Sequence, residues 1–307
     1  MQSRDYESTV QADDNQVGDE PEIMVLPNNP DLVGEVDYTP NIHYRPDKDV
    51  SMDVVVPMGA SQKGAHLPAV LFIQGSGWTT PNRLYAIPRL LQLVNRGFAV
   101  ISVGHTDSCN GSHPFPEFLL DVKSALRYVR LHSNQLHVDP GRIGAWGTSS
   151  GGNTALLLGM TQGDPRYEDS TNPGAPDVVN FVVSCFGVAD LEGMLTGENP
   201  QLARAVCGLS EEGSLVTEVA LKRAHDMSPL RILNEGTSCP PTLLLHGDSD
   251  NLVPYSQTYN LYKRMLSLGK DVSMVRVKGA DHEGDFWSHA VTDAIIEFIV
   301  RQSKLVF

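Results

Sequence analysis

The sequence predicts an α/β domain: one mostly parallel sheet with helices on both faces. Three observations carry that prediction. Short β-rich runs alternate with amphipathic segments long enough for helices along most of the 307 residues. Successive strand and helix patterns read as βα units returning to one sheet, while the first two strand patterns read as an antiparallel edge. Hydrophobic residues at 41% and charged residues at 20% describe an ordinary globular chain with enough length to bury a substantial core.

In chain order, strands are expected near Ile42–Tyr44, Ser51–Pro57 and Ala69–Gly75. A helical pattern through IPRLLQLVNRG leads to the strand Phe98–Gly104. Apolar residues at helical spacing run from Phe115 to Leu131, followed by the turn VDPGR and the strand RIGAWG. After the stretch AWGTSSGG come a helix NTALLLGM, strands VNFVVSCFGV and PTLLLHG, a helix YSQTYNLYKRMLSL, a strand DVSMVRVKG and a last helix AVTDAIIEFIV. Residues 189 to about 230 break the alternation with helical patterns and no strand, so this longer connection is expected to form a helical cap over the end of the sheet.

Residues 1–22 carry Asp5, Glu7, Asp13, Asp14, Asp19, Glu20 and Glu22 against Arg4, and are expected to form a poorly ordered acidic arm ahead of a domain spanning 23–307. The net charge of −14 argues against a nucleic-acid partner, which would need clustered Lys and Arg. No secretory signal is seen, and no apolar run reaches the ~18 to 20 residues that span a bilayer. A cytoplasmic protein with no membrane partner is expected, with homo-oligomerisation left open. Cys109, Cys185, Cys207 and Cys239 show no metal-ligand spacing and read as buried or loop thiols, with a disulfide pair the alternative.

The chemistry centres on Gly147-Thr148-Ser149-Ser150-Gly151, a G-x-S-x-G pattern between a strand and a helix. A sharp strand-to-helix turn strains its central residue, and small residues two before and two after let strand and helix approach. Ser149 is the expected nucleophile, and the backbone N–H of Ser150 faces the reacting centre at a helix start. A polar turn with a serine cap is the bland alternative.

Serine needs a base, itself oriented by a third group. The loop HGDSDNLVP, after a strand, offers Asp250 as the acid, with Asp248 as fallback in the bland role of bracing the loop. The loop KGADHEGDFW offers His282 as the base, whereas His246 at a strand end reads as structural. IQGSGW places Ser76 or Gly77 to supply the other oxyanion N–H. Trp78, His105 on the loop 104–116, and the aromatics Phe115, Phe286 and Trp287 are candidates to contact substrate, with plain packing the alternative for the aromatics. Thr148 and Trp146 have no evident chemical role.

The order Ser149, Asp250, His282 resembles the α/β-hydrolase superfamily. Within it, LPAVLFIQGSGW, DVKSALRYVRLHSNQLHVDPGRIGAWGTSSGG, HGDSDNLVP and KGADHEG are similar to the bacterial esterase branch that includes feruloyl esterase and acetyl-xylan esterase-like enzymes. Gln74 and Ser76 depart from that branch, which often has His and Gly there, and residues 104–116 lack its tyrosine-arginine-leucine wording. The resemblance implies an α/β-hydrolase fold and hydrolysis of a small-molecule ester, acyl or hydroxycinnamoyl, through an acyl-enzyme that needs neither a metal nor another cofactor. A prolyl-oligopeptidase-type peptidase shares these motifs but usually carries a large upstream domain. A non-catalytic binding protein on the same fold usually lacks a triad member.

Overall fold

The computed structural model describes residues 24–25, 35–60, 64–109, 112–197, 200–209 and 215–304; the expected acidic arm 1–22 lies outside them. Contacts between Cα atoms divide the chain into Met1–Leu32 and Val33–Phe307, and every element below belongs to the second unit. In order these are β1 (Val36–His43), β2 (Ser51–Pro57), β3 (Leu67–Ile73), α1 (Ile87–Val94), β4 (Ala99–Val103), α2 (Glu117–Leu131), β5 (Val138–Thr148) and α3 (Ser150–Met160). They continue with β6 (Val182–Cys185), α4 (Leu191–Thr196), α5 (Gln201–Val206), α6 (Glu218–Asp226), α7 (Pro229–Ile232), β7 (Thr242–Gly247), α8 (Ser256–Ser267), β8 (Val272–Val277) and α9 (His289–Ser303).

The strands form one eight-stranded sheet in the order β1-β2-β4-β3-β5-β6-β7-β8. β1 and β2 make the antiparallel edge the sequence predicts, and from β4 onward all neighbours are parallel. Because side chains alternate across a strand, Val54, Val56, Leu71 and Ile73 face one core and Val55, Val70 and Phe72 the other. The first core also takes α2, α3 and α8; α1 and α9 cover the second.

Several strand limits differ from the sequence reading; β6 covers only Val182–Cys185 of the expected VNFVVSCFGV, and β3 runs Leu67–Ile73 rather than Ala69–Gly75. β1 begins at Val36 rather than Ile42, and its mostly exposed edge gives no apolar alternation to read. The turn VDPGR joins β5, because Val138 pairs with Leu67 before the register shifts ahead of the Ala69–Ile143 pairing. In β5, Gly144 makes room for Phe181, whose ring would lie 2.1 Å from a Cβ there.

The parallel register brings several strand ends to one edge. Ile73 lies opposite Gly147, Thr148 opposite Cys185, and Gly247 opposite Val277. The turns after β3, β5, β6, β7 and β8 therefore emerge together, where ligands bind in open sheets of this kind. The described part of residues 189–230 contains α4, α5, α6 and the start of α7 and no strand. Buried Asn153 ties this segment to α3, donating from Nδ2 to the carbonyls of Val188 and Met227, each at 2.8 Å.

Candidate active site

Ser149 sits between the end of β5 and the start of α3 with φ 52° and ψ −123°. A left-handed conformation in a non-glycine residue costs on the order of 1–3 kcal/mol and persists only where its surroundings impose it. Here the Ser149 N–H donates to the Cys185 carbonyl at 2.9 Å, and the Ser149 carbonyl accepts from the Asn153 N–H at 3.0 Å. The flanking glycines are sterically required. A Cβ on Gly147 would lie 2.0 Å from the Gly151 carbonyl oxygen, and one on Gly151 would lie 2.1 Å from that of Ile73. The turn thus holds Ser149 with 8% of its surface exposed.

His282 Nε2 lies 3.0 Å from Ser149 Oγ, and His282 Nδ1 lies 2.7 Å from Asp250 Oδ2. A carboxylate only accepts, so Nδ1 carries the proton and Nε2 presents its lone pair to the serine hydroxyl. Asp250 Oδ1 accepts the N–H groups of Leu252 and Val253 at 2.9 and 2.8 Å. Its Oδ2 also accepts from His246 Nε2 at 3.1 Å, and the same nitrogen donates to the Val253 carbonyl at 2.8 Å. Burial opposes ionisation of Asp250, but the hydrogen bonds from His246, His282 and Val253 outweigh it and hold the carboxyl well below the usual range. Asp248, the fallback acid, faces away into an ion pair with Arg276 and accepts the Gly279 N–H at 2.6 Å.

The turn after β3 lies against Ser149. A Cβ on Gly75 would sit 2.7 Å from Ser149 Cβ, so this glycine permits the approach. Of the two expected loop donors, Ser76 is corrected: its N–H already donates to Ser150 Oγ at 2.9 Å. The backbone N–H groups of Gly77 and Ser150 have no acceptor among the described residues. Leu202 of α5 approaches this turn, with its Cδ1 3.1 Å from the position of a Gly77 Cβ.

The expected substrate contacts are placed differently from the sequence reading. Trp78 has no exposed surface and packs on Phe118, and His105, 2% exposed, packs on the same ring. Burial pushes the His105 imidazole down from its ordinary value, so it stays neutral in the core. Neither ring reaches the surface, although His105 borders a cavity of about 300 Å³ with Ser51 and Arg83. Phe115 is buried against Phe118 and Tyr167, although it borders a cavity of about 610 Å³ with Arg166 and Val219. Trp287 is half-buried beneath the Arg89 guanidinium, 3.4 Å from its ring centroid, and donates from Nε1 to Glu283. Phe286 is fully buried.

Phe186 is a neighbour that the sequence reading missed. Its ring meets His282 edge-on with centroids 4.6 Å apart and contacts Phe286 and Trp287 behind it. The only signal was its place one residue past β6, at the sheet edge where the Ser149 turn emerges.

All four cysteines are free. Burial pushes Cys109 up to about 11 and Cys185 and Cys207 up to about 12, so none of these three offers a thiolate at neutral pH. Among the described residues no group of three or more His, Cys, Asp or Glu is placed to hold a metal, and no helix is long and apolar enough to cross a membrane.

The model of the BD-FAE family matches residues 52–265. The chain belongs to the BD-FAE family. Esterase LipC of Mycobacterium tuberculosis strain ATCC 25618 / H37Rv is 28% identical over 233 residues, 73% of this chain and 55% of its own length. The probable carboxylic ester hydrolase LipM of the same strain is 28% identical over 211 residues, 66% and 46% of the two chains. The chain thus spans about half the length of the curated relatives it matches. Among solved structures, a truncated form of a carbohydrate esterase from gut microbiota has TM-score 0.72 and 26% identity, covering 88% of this chain and 97% of its own. A bifunctional GH43-CE protein of Bacteroides eggerthii has TM-score 0.75 and 25% identity, covering 87% of this chain and 35% of its own. The sheet order, the helices on both faces and these neighbours make the BD-FAE chain an α/β-hydrolase.

Proposed function

We propose that this BD-FAE protein is a serine carboxylic ester hydrolase working through an acyl-enzyme. The observation that carries the reading is the hydrogen-bonded series Ser149–His282–Asp250, with Ser149 held in a strained turn at a helix start. His282 Nε2 takes the Ser149 proton as Oγ attacks the ester carbonyl, and Asp250 stabilises the imidazolium. The N–H groups of Gly77 and Ser150 receive the negative charge that develops on the carbonyl oxygen. His282 returns the proton to the departing alcohol. Water, deprotonated by His282, then attacks the acyl-enzyme, and His282 returns that proton to Ser149 Oγ as the acid leaves. Each step balances with protein groups and water.

Small acyl or hydroxycinnamoyl esters of plant-derived carbohydrates or phenolics are the proposed substrates, in line with the carbohydrate esterase among the solved neighbours. The helical segment α4–α7 is the proposed cap, with Leu202 bounding the space beside the oxyanion turn. The four free thiols support a cytoplasmic setting.

The test compares wild type and Ser149→Ala on a short-chain aryl ester, methyl ferulate and an aminoacyl-proline amide. Ester hydrolysis that disappears in the variant is expected. Amide cleavage exceeding ester cleavage would point to a peptidase, and undiminished ester turnover by Ser149→Ala would remove the nucleophile.

A further inference from the structure

The residues on either side of Ser149 send their side chains in a direction that the proposed mechanism does not use. Thr148 Oγ1 accepts the Gly75 N–H at 2.9 Å, and Ser150 Oγ accepts the Ser76 N–H at 2.9 Å. Thr148 has no exposed surface and Ser150 only 1%, so water does not replace either oxygen. Two successive N–H groups of the turn after β3 are thereby fastened to the two neighbours of the nucleophile. The next N–H, that of Gly77, has no acceptor among the described residues.

The direction of that free N–H follows from peptide planarity. The Ser76 carbonyl and the Gly77 N–H belong to one trans peptide and point in opposite directions. Thr79 holds the carbonyl end, donating from Oγ1 at 2.7 Å and from its backbone N–H at 3.3 Å. Ser76 Oγ returns a bond to the Thr79 carbonyl at 2.6 Å. Beyond the peptide, Cys109 Sγ donates to the Gly77 carbonyl at 3.0 Å, and Gly77 and Trp78 both take positive φ, 63° and 62°. The Gly77 peptide is thus anchored from both sides, with Ser150 Oγ holding the residue immediately before it.

We infer that Ser150 and Thr148 are positioning residues whose side-chain oxygens clamp the turn after β3 onto the nucleophile turn and so aim the Gly77 N–H at the oxyanion. This rests on the ester-hydrolase reading and assigns its site two further members. It also accounts for the departures at Gln74 and Ser76. The turn is set through its backbone N–H groups, so it needs neither a His side chain at position 74 nor a glycine at position 76. Gln74 adds two long contacts from Nε2, to Thr148 Oγ1 and to the Gly75 carbonyl, each at 3.4 Å.

The test uses Ser150→Ala, Thr148→Val and, as the variant that keeps the hydroxyl, Thr148→Ser. Two quantities are read for each: kcat on a short-chain aryl acetate, and affinity for a trifluoromethyl ketone, which adds reversibly to Ser149 and forms an oxyanion. The matching methyl ketone serves as a probe of ground-state binding. Ser150→Ala and Thr148→Val should each lower kcat and trifluoromethyl ketone affinity in parallel, by about 10-fold, while methyl ketone affinity stays within twofold. Thr148→Ser should retain both.

Unchanged trifluoromethyl ketone affinity in the two variants would overturn the clamp, as would equal losses for both ketones. If Ser150→Ala fails to fold, the Thr148→Val and Thr148→Ser pair carries the test alone. A wild type that binds the trifluoromethyl ketone but hydrolyses no ester would refute the ester reading and leave the clamp to be judged by affinity.

Discussion

Replacing Asp250 by asparagine tests the acid through a conflict that the structure makes countable. Asp250 accepts four hydrogen bonds, from the N–H groups of Leu252 and Val253 at Oδ1 and from His246 and His282 at Oδ2. Asparagine has one acceptor oxygen and an NH₂ that only donates. If the oxygen stays with the two backbone N–H groups, the NH₂ meets Nε2–H of His246 and Nδ1–H of His282. His282 escapes the clash by moving its proton to Nε2, which turns a donor toward Ser149 and removes the base. A triad with the wrong tautomer loses about 10⁴-fold in kcat, equivalent to roughly 5.5 kcal/mol.

Stability should fall as well. Two bonds to a buried charge are lost at about 1.5–3 kcal/mol each, and the tautomer shift recovers part of that, leaving about 2–4 kcal/mol. Initial rates on an aryl acetate and urea unfolding at pH 7 measure both effects. The control is Asp248→Asn, which touches only Arg276 and the Gly279 N–H and should leave kcat within twofold. An Asp250→Asn variant within tenfold of wild-type kcat, or a larger loss in Asp248→Asn, would refute the assignment.

The same carboxylate should shape acid stability. Its folded pKa lies below the unfolded value of about 4, so in that window the unfolded chain binds the extra proton and stability falls as pH falls. The gap in urea midpoint between wild type and Asp250→Asn should therefore be constant above pH ~5 and narrow below pH ~4; a gap that widens on acidification would contradict the linkage. Gly147→Ala should cost more than about 4 kcal/mol or prevent folding, because its Cβ would lie 2.0 Å from a backbone oxygen and relief requires parting β5 from α3. Wild-type thermal melting of that variant would show that the glycine is not sterically required.

Much of this was legible in the sequence because the relevant signals are local. AVLFI and TLLL read as strands because both their faces are buried; Ser149 directly follows β5, and Asp250 and His282 stand in the turns after β7 and β8. His246 read as structural, and its two ring nitrogens are taken up by Thr258, Asp250 and Val253. The misses share one cause. Trp78 and His105 have the composition of ligand contacts and lie on the right loops, yet both turn inward onto Phe118, a residue of α2. Phe186 reaches His282 from one residue past β6, across 96 positions of chain that pattern reading does not connect.

The sequence by itself determined the order of strands and helices, the open sheet with its antiparallel edge, and the residue types of a serine hydrolase in their chain order. These follow from apolar periodicity and from the small residues that a tight strand-to-helix turn requires. Only the tertiary structure decided which hydroxyls and N–H groups are used and which are spent. Thr148 and Ser150 bind N–H groups more than seventy residues away, at 2.9 Å, and that leaves Gly77 rather than Ser76 with an N–H that no described residue accepts. The physical reason is that a hydrogen bond depends on direction and on a few tenths of an ångström. Those are set where two turns meet across the sheet edge, and neither turn contains that information alone.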